Sequence, residues 1–156
     1  MNIRLLVIGK TADPNLQVLI NDYSNRLSHY CNFSIQVSEP KLKKKHIDIE
    51  SLKIEEGKHI LKHIEKSTLL LLLDEKGKEF NSRGFAAHLQ KRLNSGVKEI
   101  VFCIGGAYGF SQEVYDRANS KLALSQMTMT HQMVRLLFVE QLYRAFTILK
   151  GEKYHH

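Results

Sequence analysis

This chain has little of several things, and each shortage removes a class of protein. Of its 156 residues only Cys31 and Cys103 are cysteine, with no CxxC and no flanking ligand cluster. A disulfide framework or a zinc site needs more, so both are expected as reduced, mostly buried thiols. Two prolines and nine glycines exclude collagen-like and proline-rich architectures, and no segment repeats at a solenoid period. The longest purely apolar run, Leu69 to Leu73, is five residues, against the roughly 20 that cross a bilayer as a helix. The opening MNIRLLVIGKTADP has one Arg and no small-residue cleavage site, so no secretory signal is expected. A cytoplasmic chain without membrane segments follows as the expectation.

What is present is an ordinary core and an excess of positive charge. The hydrophobic fraction of 43% supports one globular domain at this length. Lys and Arg number 23 against 16 Asp and Glu, a formal +7. That imbalance favours polyanionic partners, since each phosphate contact releases counterions. The run 41–48, KLKKKHID, concentrates four lysines in five positions; it reads as a solvated linker or as an RNA-backbone contact.

Apolar strands and amphipathic helices alternate along the chain. Residues 3–9 read as a buried strand ending at Gly9, and Asp13-Pro14 as the cap and first turn of a helix over 15–30. Phe33, Ile35 and Val37 alternate as a strand that Pro40 stops, and 49–64 form a second helix. Residues 68–78 give an apolar strand ending in Asp74 and a Gly-containing turn, Ser82 caps a helix to Leu93, and Gly96 closes it. Strand 99–106, a short helix 111–119, strand 121–125 and a long helix 131–149 stopped by Gly151 complete the order. Strands apolar along their whole length argue for a parallel sheet covered on both faces. In such sheets ligands bind beyond the carboxyl ends of the strands, which selects Leu73-Asp74, Gly105-Gly106 and Ser125 to Thr128.

Several features there carry chemistry. IGGAYGF, residues 104–110, places three glycines in five positions after a buried strand, as a cofactor loop or a tight turn requires. It is neither GxGxxG nor a Walker A loop, and only Gly9 stands where a dinucleotide fingerprint would follow the first strand. SQMTMT, residues 125–130, is a polar stretch whose backbone groups need water, caps or a ligand. His59 and His63 stand at i and i+4, but with no third ligand no metal site is expected. The last helix is apolar on nearly all sides, which calls for a second partner, most simply another copy of the chain. His131 and Arg135 stand four apart on it, as do Glu140 and Arg144, the latter expected as an ion pair.

The ending HQMVRLLFVEQLYRAFTILKGEKYH, with IGGAYG, LDEKGK and the opening IRLLVIGK, resembles the SPOUT-class ribosomal RNA large subunit methyltransferase H family over the whole chain. The resemblance implies one α/β domain over 1–156 with a C-terminal trefoil knot, a functional tail at 151–156 and a homodimer. It implies S-adenosylmethionine as cofactor, no metal, and methyl transfer to N3 of a pseudouridine in the helix 69 loop of 23S ribosomal RNA. Cofactor contacts then fall on Leu73, Gly105, Leu124, Ser125, Gln126, Met127, Thr128 and Met129. Tyr143, Arg144, Tyr154 and His155 would face the RNA, with His155 as proton acceptor, Arg144 as charge stabiliser and Tyr154 orienting the base. One departure is Thr130, where the family usually has Pro before the His; a looser loop is expected from it. A non-enzymatic basic RNA-binding module is the alternative, and a small reductase or a dimeric scaffold rank below it.

Overall fold

The computed structural model describes residues 1–43 and 46–156. Its element order is β1 (Asn2–Ile8), α1 (Pro14–Leu27), β2 (Asn32–Ser38), α2 (Ile49–Lys62), β3 (Leu69–Glu79), α3 (Ser82–Leu93), β4 (Glu99–Ile104), α4 (Gln112–Arg117), β5 (Ser120–Ala123) and α5 (Met133–Leu149). The strands form one five-stranded sheet in the order β2-β1-β4-β3-β5, every neighbouring pair parallel. The parallel-sheet α/β reading therefore holds.

Period-two alternation sorts the apolar strands between two layers. Ile3, Leu5, Val7, Leu71, Ile100 and Phe102 face α1, α3 and α5, with Ile20, Leu27, Phe85, Leu89, Phe138, Val139 and Leu142 completing that core. Leu6, Leu70, Leu72, Val101 and Cys103 face the other way, onto Ile60 of α2 and Val114 of α4. Both faces are covered, so neither pole of the alternation is left polar. Complete burial pushes the Cys103 thiol up, and partial burial raises Cys31 to about 11; both thiols are free, with little thiolate near neutral pH.

Local signals place most boundaries. The Asp13 carboxylate accepts from Asn15 N–H at 2.7 Å with Pro14 behind it, and Gly96 and Gly151 adopt φ of 77° and 69° just past their helices. Two expectations are corrected. Asn81, not Ser82, caps α3, its side chain accepting from Gly84 N–H at 2.7 Å. Strand β3 does not end near Asp74 in a turn: it continues through Gly77 to Glu79, pairing with Leu122 and Ala123 after a register shift. A Cβ on Gly77 would lie 2.6 Å from Leu122 backbone, so the second half of this pairing needs glycine there. Of the lysine run, Lys44 and Lys45 lie outside the described residues.

Candidate active site

The carboxyl ends of β4 and β5 and the middle of β3, at Leu73 to Lys76, open into one cleft of about 490 Å³. Its walls bring together Leu73, Gly105, Leu124, Ser125, Met127, Thr128 and Met129, with Ile104, Leu122 and Val134 adding apolar surface. Seven of the eight expected cofactor residues therefore meet; the eighth, Gln126, is exposed and stands outside the lining. The glycine loop turns back on itself, Gly109 N–H donating to Gly106 C=O at 3.1 Å with Gly109 at φ 84°.

The loop 125–129 keeps most of its main chain unbonded. Among the described residues its backbone has one intrachain hydrogen bond, Met127 N–H to Ser125 Oγ at 3.0 Å. Thr128 Oγ1 donates to Glu75 at 2.8 Å and tethers the loop to the opposite rim. Unbonded donors and acceptors above apolar walls suit a flat heterocycle with polar edges. Thr130 supplies a cap that Pro could also give only in part: its hydroxyl accepts from Met133 N–H at 3.1 Å and its carbonyl from Val134 N–H at 3.1 Å.

Sequence reasoning missed three parts of this region. Tyr115 on α4 donates its hydroxyl to Asp74, and burial together with this bond pushes the phenol up. Lys53 of α2 reaches the cleft from the far face of the sheet. Arg135, expected on a shared face with His131, is instead buried, donating to the carbonyls of Ile8 at 2.7 Å, Gly9 at 2.9 Å and His131 at 3.0 Å. Only the incongruity of an arginine in so apolar a helix could have signalled it. His63, the other doubtful histidine, bonds Gln36 at 2.9 Å through Nδ1, and no metal-binding cluster is present among the described residues.

A second constellation lies toward the other end of α5. Arg144 is paired with Glu140, and Tyr154 Oη donates to the same carboxylate at 3.0 Å. The Arg144 guanidinium lies 4.7 Å from the centroid of the Tyr154 ring, which packs edge to face with Tyr143 at a centroid separation of 4.9 Å. Tyr23 brings its hydroxyl within 3.3 Å of that of Tyr154. Burial and these bonds hold the Tyr154 phenol well above its ordinary value, so it is a donor near neutral pH. The pairing with Glu140 raises Arg144 further and keeps it cationic. Nδ1 of His155 is buried with no partner among the described residues.

The two constellations are not joined within one chain. Arg144, Tyr154 and His155 are absent from the cleft lining. Val134, on the cleft wall, and Arg144 are ten positions apart on α5, about 15 Å of helical rise. The same helix and its neighbour α1 expose Met133, Leu137, Val18 and Leu19, each at least 40% accessible.

Comparisons with known proteins agree over the whole chain. A family described as "Predicted SPOUT methyltransferase" matches residues 1–155. A protein of Christiangramia forsetii named ribosomal RNA large subunit methyltransferase H is 53% identical over 156 residues, covering 100% of this chain and 99% of the relative. Relatives with the same name from Flavobacterium psychrophilum, 53% identical, and Cytophaga hutchinsonii, 52% identical, are matched over 99% and 100% of their lengths.

Proposed function

We propose, since this chain belongs to the SPOUT methyltransferase family, that it methylates N3 of a pseudouridine in the helix 69 loop of 23S ribosomal RNA, with S-adenosylmethionine as donor. The observation that carries this reading is the cleft at the ends of β4 and β5 and the middle of β3, where seven residues expected at the cofactor converge. The chain is a methyltransferase, and the rivals lose their footing: a bare RNA-binding module leaves the cleft unused. A reductase would need a phosphate loop after β1, where Arg135 instead clamps the Ile8 and Gly9 carbonyls.

When bound, the cofactor supplies an electrophilic methyl group on a sulfonium. Leu73, Leu124 and the other apolar walls would hold its base, with the free backbone groups of 125–129 against the polar edges. The reacting N3 carries a proton at neutral pH, and a base must accept it. His155 takes that part, its buried Nδ1 being unengaged. Arg144 stabilises negative charge growing on the base oxygens, and Tyr154, kept protonated, orients the ring by donation and stacking. Their distance from the cleft of their own chain supports a homodimer in which each tail serves the partner's cleft. The apolar patch of Val18, Leu19, Met133 and Leu137 supports α1 and α5 as the contact. A parallel sheet whose edge strand β5 leads into α5, packed between α1 and α3, is compatible with the family's knotted C-terminal part. The tail at 151–156 belongs to the site and the rest to one domain, acting in the cytoplasm on ribosomal RNA or the assembled ribosome.

The test is single-turnover methyl transfer from radiolabelled cofactor to pseudouridine-containing 23S RNA or ribosomes. His155→Ala is expected to slow the step by about 10²–10⁴-fold, the usual worth of general base catalysis. A wild-type rate at saturating RNA removes His155 from the role, and no transfer by the parent protein to either substrate overturns the assignment.

A further inference from the structure

Glu56 is out of place. It lies on α2, a helix whose other acids are solvated, yet it is 8% exposed and packed under the sheet end. Both carboxylate oxygens abut Gly106: a Cβ built there would lie 2.5 Å from Oε2 and 2.6 Å from Oε1. The next residue, Gly57, is equally confined, since a Cβ on it would strike the Ser111 hydroxyl at the far end of the same loop. Two glycines thus let helix α2 press on the loop 105–111 from behind. Gly106 also lines the cleft, so this carboxylate and the cleft meet the same residue, one that carries no side chain.

A buried carboxylate is costly unless something favours its charge. Burial raises the Glu56 carboxyl, and no neighbouring cation among the described residues offsets it. Lys53, one turn earlier on the same helix and also on the cleft wall, is occupied by Glu50 at 3.1 Å. In a poorly solvated site, charges a few ångströms apart interact far more strongly than across water. A cation in the cleft is the partner this arrangement is short of.

Resting on the methyl-donor reading above, we infer that Glu56 is a specificity-determining residue of the cofactor cleft, an anion seated behind Gly106 that favours a sulfonium ligand over the neutral thioether left after transfer. The two ligands share every group except the charged sulfur and its methyl, so the effect appears in their affinity ratio. Product release benefits, because the attraction vanishes when the methyl group departs.

The experiment is calorimetric titration of the full-length protein and of Glu56→Gln with S-adenosylmethionine and, separately, with S-adenosylhomocysteine. The variant is expected to lose about tenfold in affinity for the first, as a screened charge pair implies, and less than twofold for the second. Equal losses for both ligands mean that Glu56 only packs the loop, and unchanged affinities mean that it is inert toward the cleft; either overturns the inference. Glu56→Asp keeps the charge and alters the packing, so it must preserve the parent ratio; it decides the matter if the Gln variant does not fold. A parent protein that binds neither ligand removes the cofactor reading itself, a result distinct from a parent that binds both without discrimination by residue 56.

Discussion

Arg135 is buried to 1% exposure and directs its guanidinium to the Ile8, Gly9 and His131 carbonyls and to the Thr11 hydroxyl. These oxygens terminate β1 and begin the approach to α5, two places where main-chain acceptors would otherwise be orphaned. The charge is therefore structural, a tie between the first strand and the last helix. Arg135→Met keeps the apolar stem and strands the carbonyls. It is expected to cost about 3 kcal/mol, in the range for unpaired buried acceptors, read as a lower urea midpoint with an unchanged slope. A loss below about 0.5 kcal/mol means that water replaces the guanidinium at no cost.

Strand β3 works in two halves. Its first, Leu69 to Leu73, is core; its second, through Gly77, pairs with β5 and holds the rim from which Glu75 reaches Thr128. A Cβ at Gly77 meets main chain that cannot rotate away. Gly77→Ala is thus expected to destabilise by about 1–3 kcal/mol, as overpacking does, and to weaken cofactor binding by loosening the rim. A melting temperature and affinity equal to the parent's would show that β5 yields freely. This half-strand also marks where the sequence stopped being legible. Leu69 to Leu73, Ile100 to Ile104 and the Asp13-Pro14 start declared themselves through local patterns. DEKGKE did not, because it is charged and its strand character depends on a partner some 40 residues away. The strand-end rule found the cleft, yet Lys53, Tyr115 and Glu56 arrive from the opposite layer, and no local spacing encodes which helix will cover which loop. Asn81 displaced Ser82 as cap because both are good caps and adjacent.

Over the whole molecule, three half-buried imidazoles respond to protons. Burial holds His63, His88 and His131 below their ordinary value. The unfolded chain then binds protons more readily, so stability rises with pH. This contribution is complete above the ordinary histidine pKa, about 6.5, and is lost as pH falls below it toward the folded values. Glu56, raised by burial, acts with the opposite sign from the ordinary glutamate range upward. The melting temperature is expected to fall between about pH 6.5 and about pH 5, more steeply in Glu56→Gln; a rise over that interval contradicts the partial burial of these imidazoles.

Helix α5 reaches from the cleft wall at Val134 to Arg144 and the bonds that hold Tyr154, so it acts as a fixed spacer between the two constellations of one chain. A population of such chains should therefore behave as interchangeable donors and acceptors. Mix a protein broken in the tail, His155→Ala, with one broken in the cleft at Gly105, and let subunits exchange. On the proposal that each tail serves its partner's cleft, each mixed dimer holds one doubly broken site and one intact site. With random pairing about a quarter of all sites are then intact, against none in either parent. Recovery of activity on mixing two impaired proteins would show that heredity at this site is shared: one damaged copy can be complemented by another damaged differently.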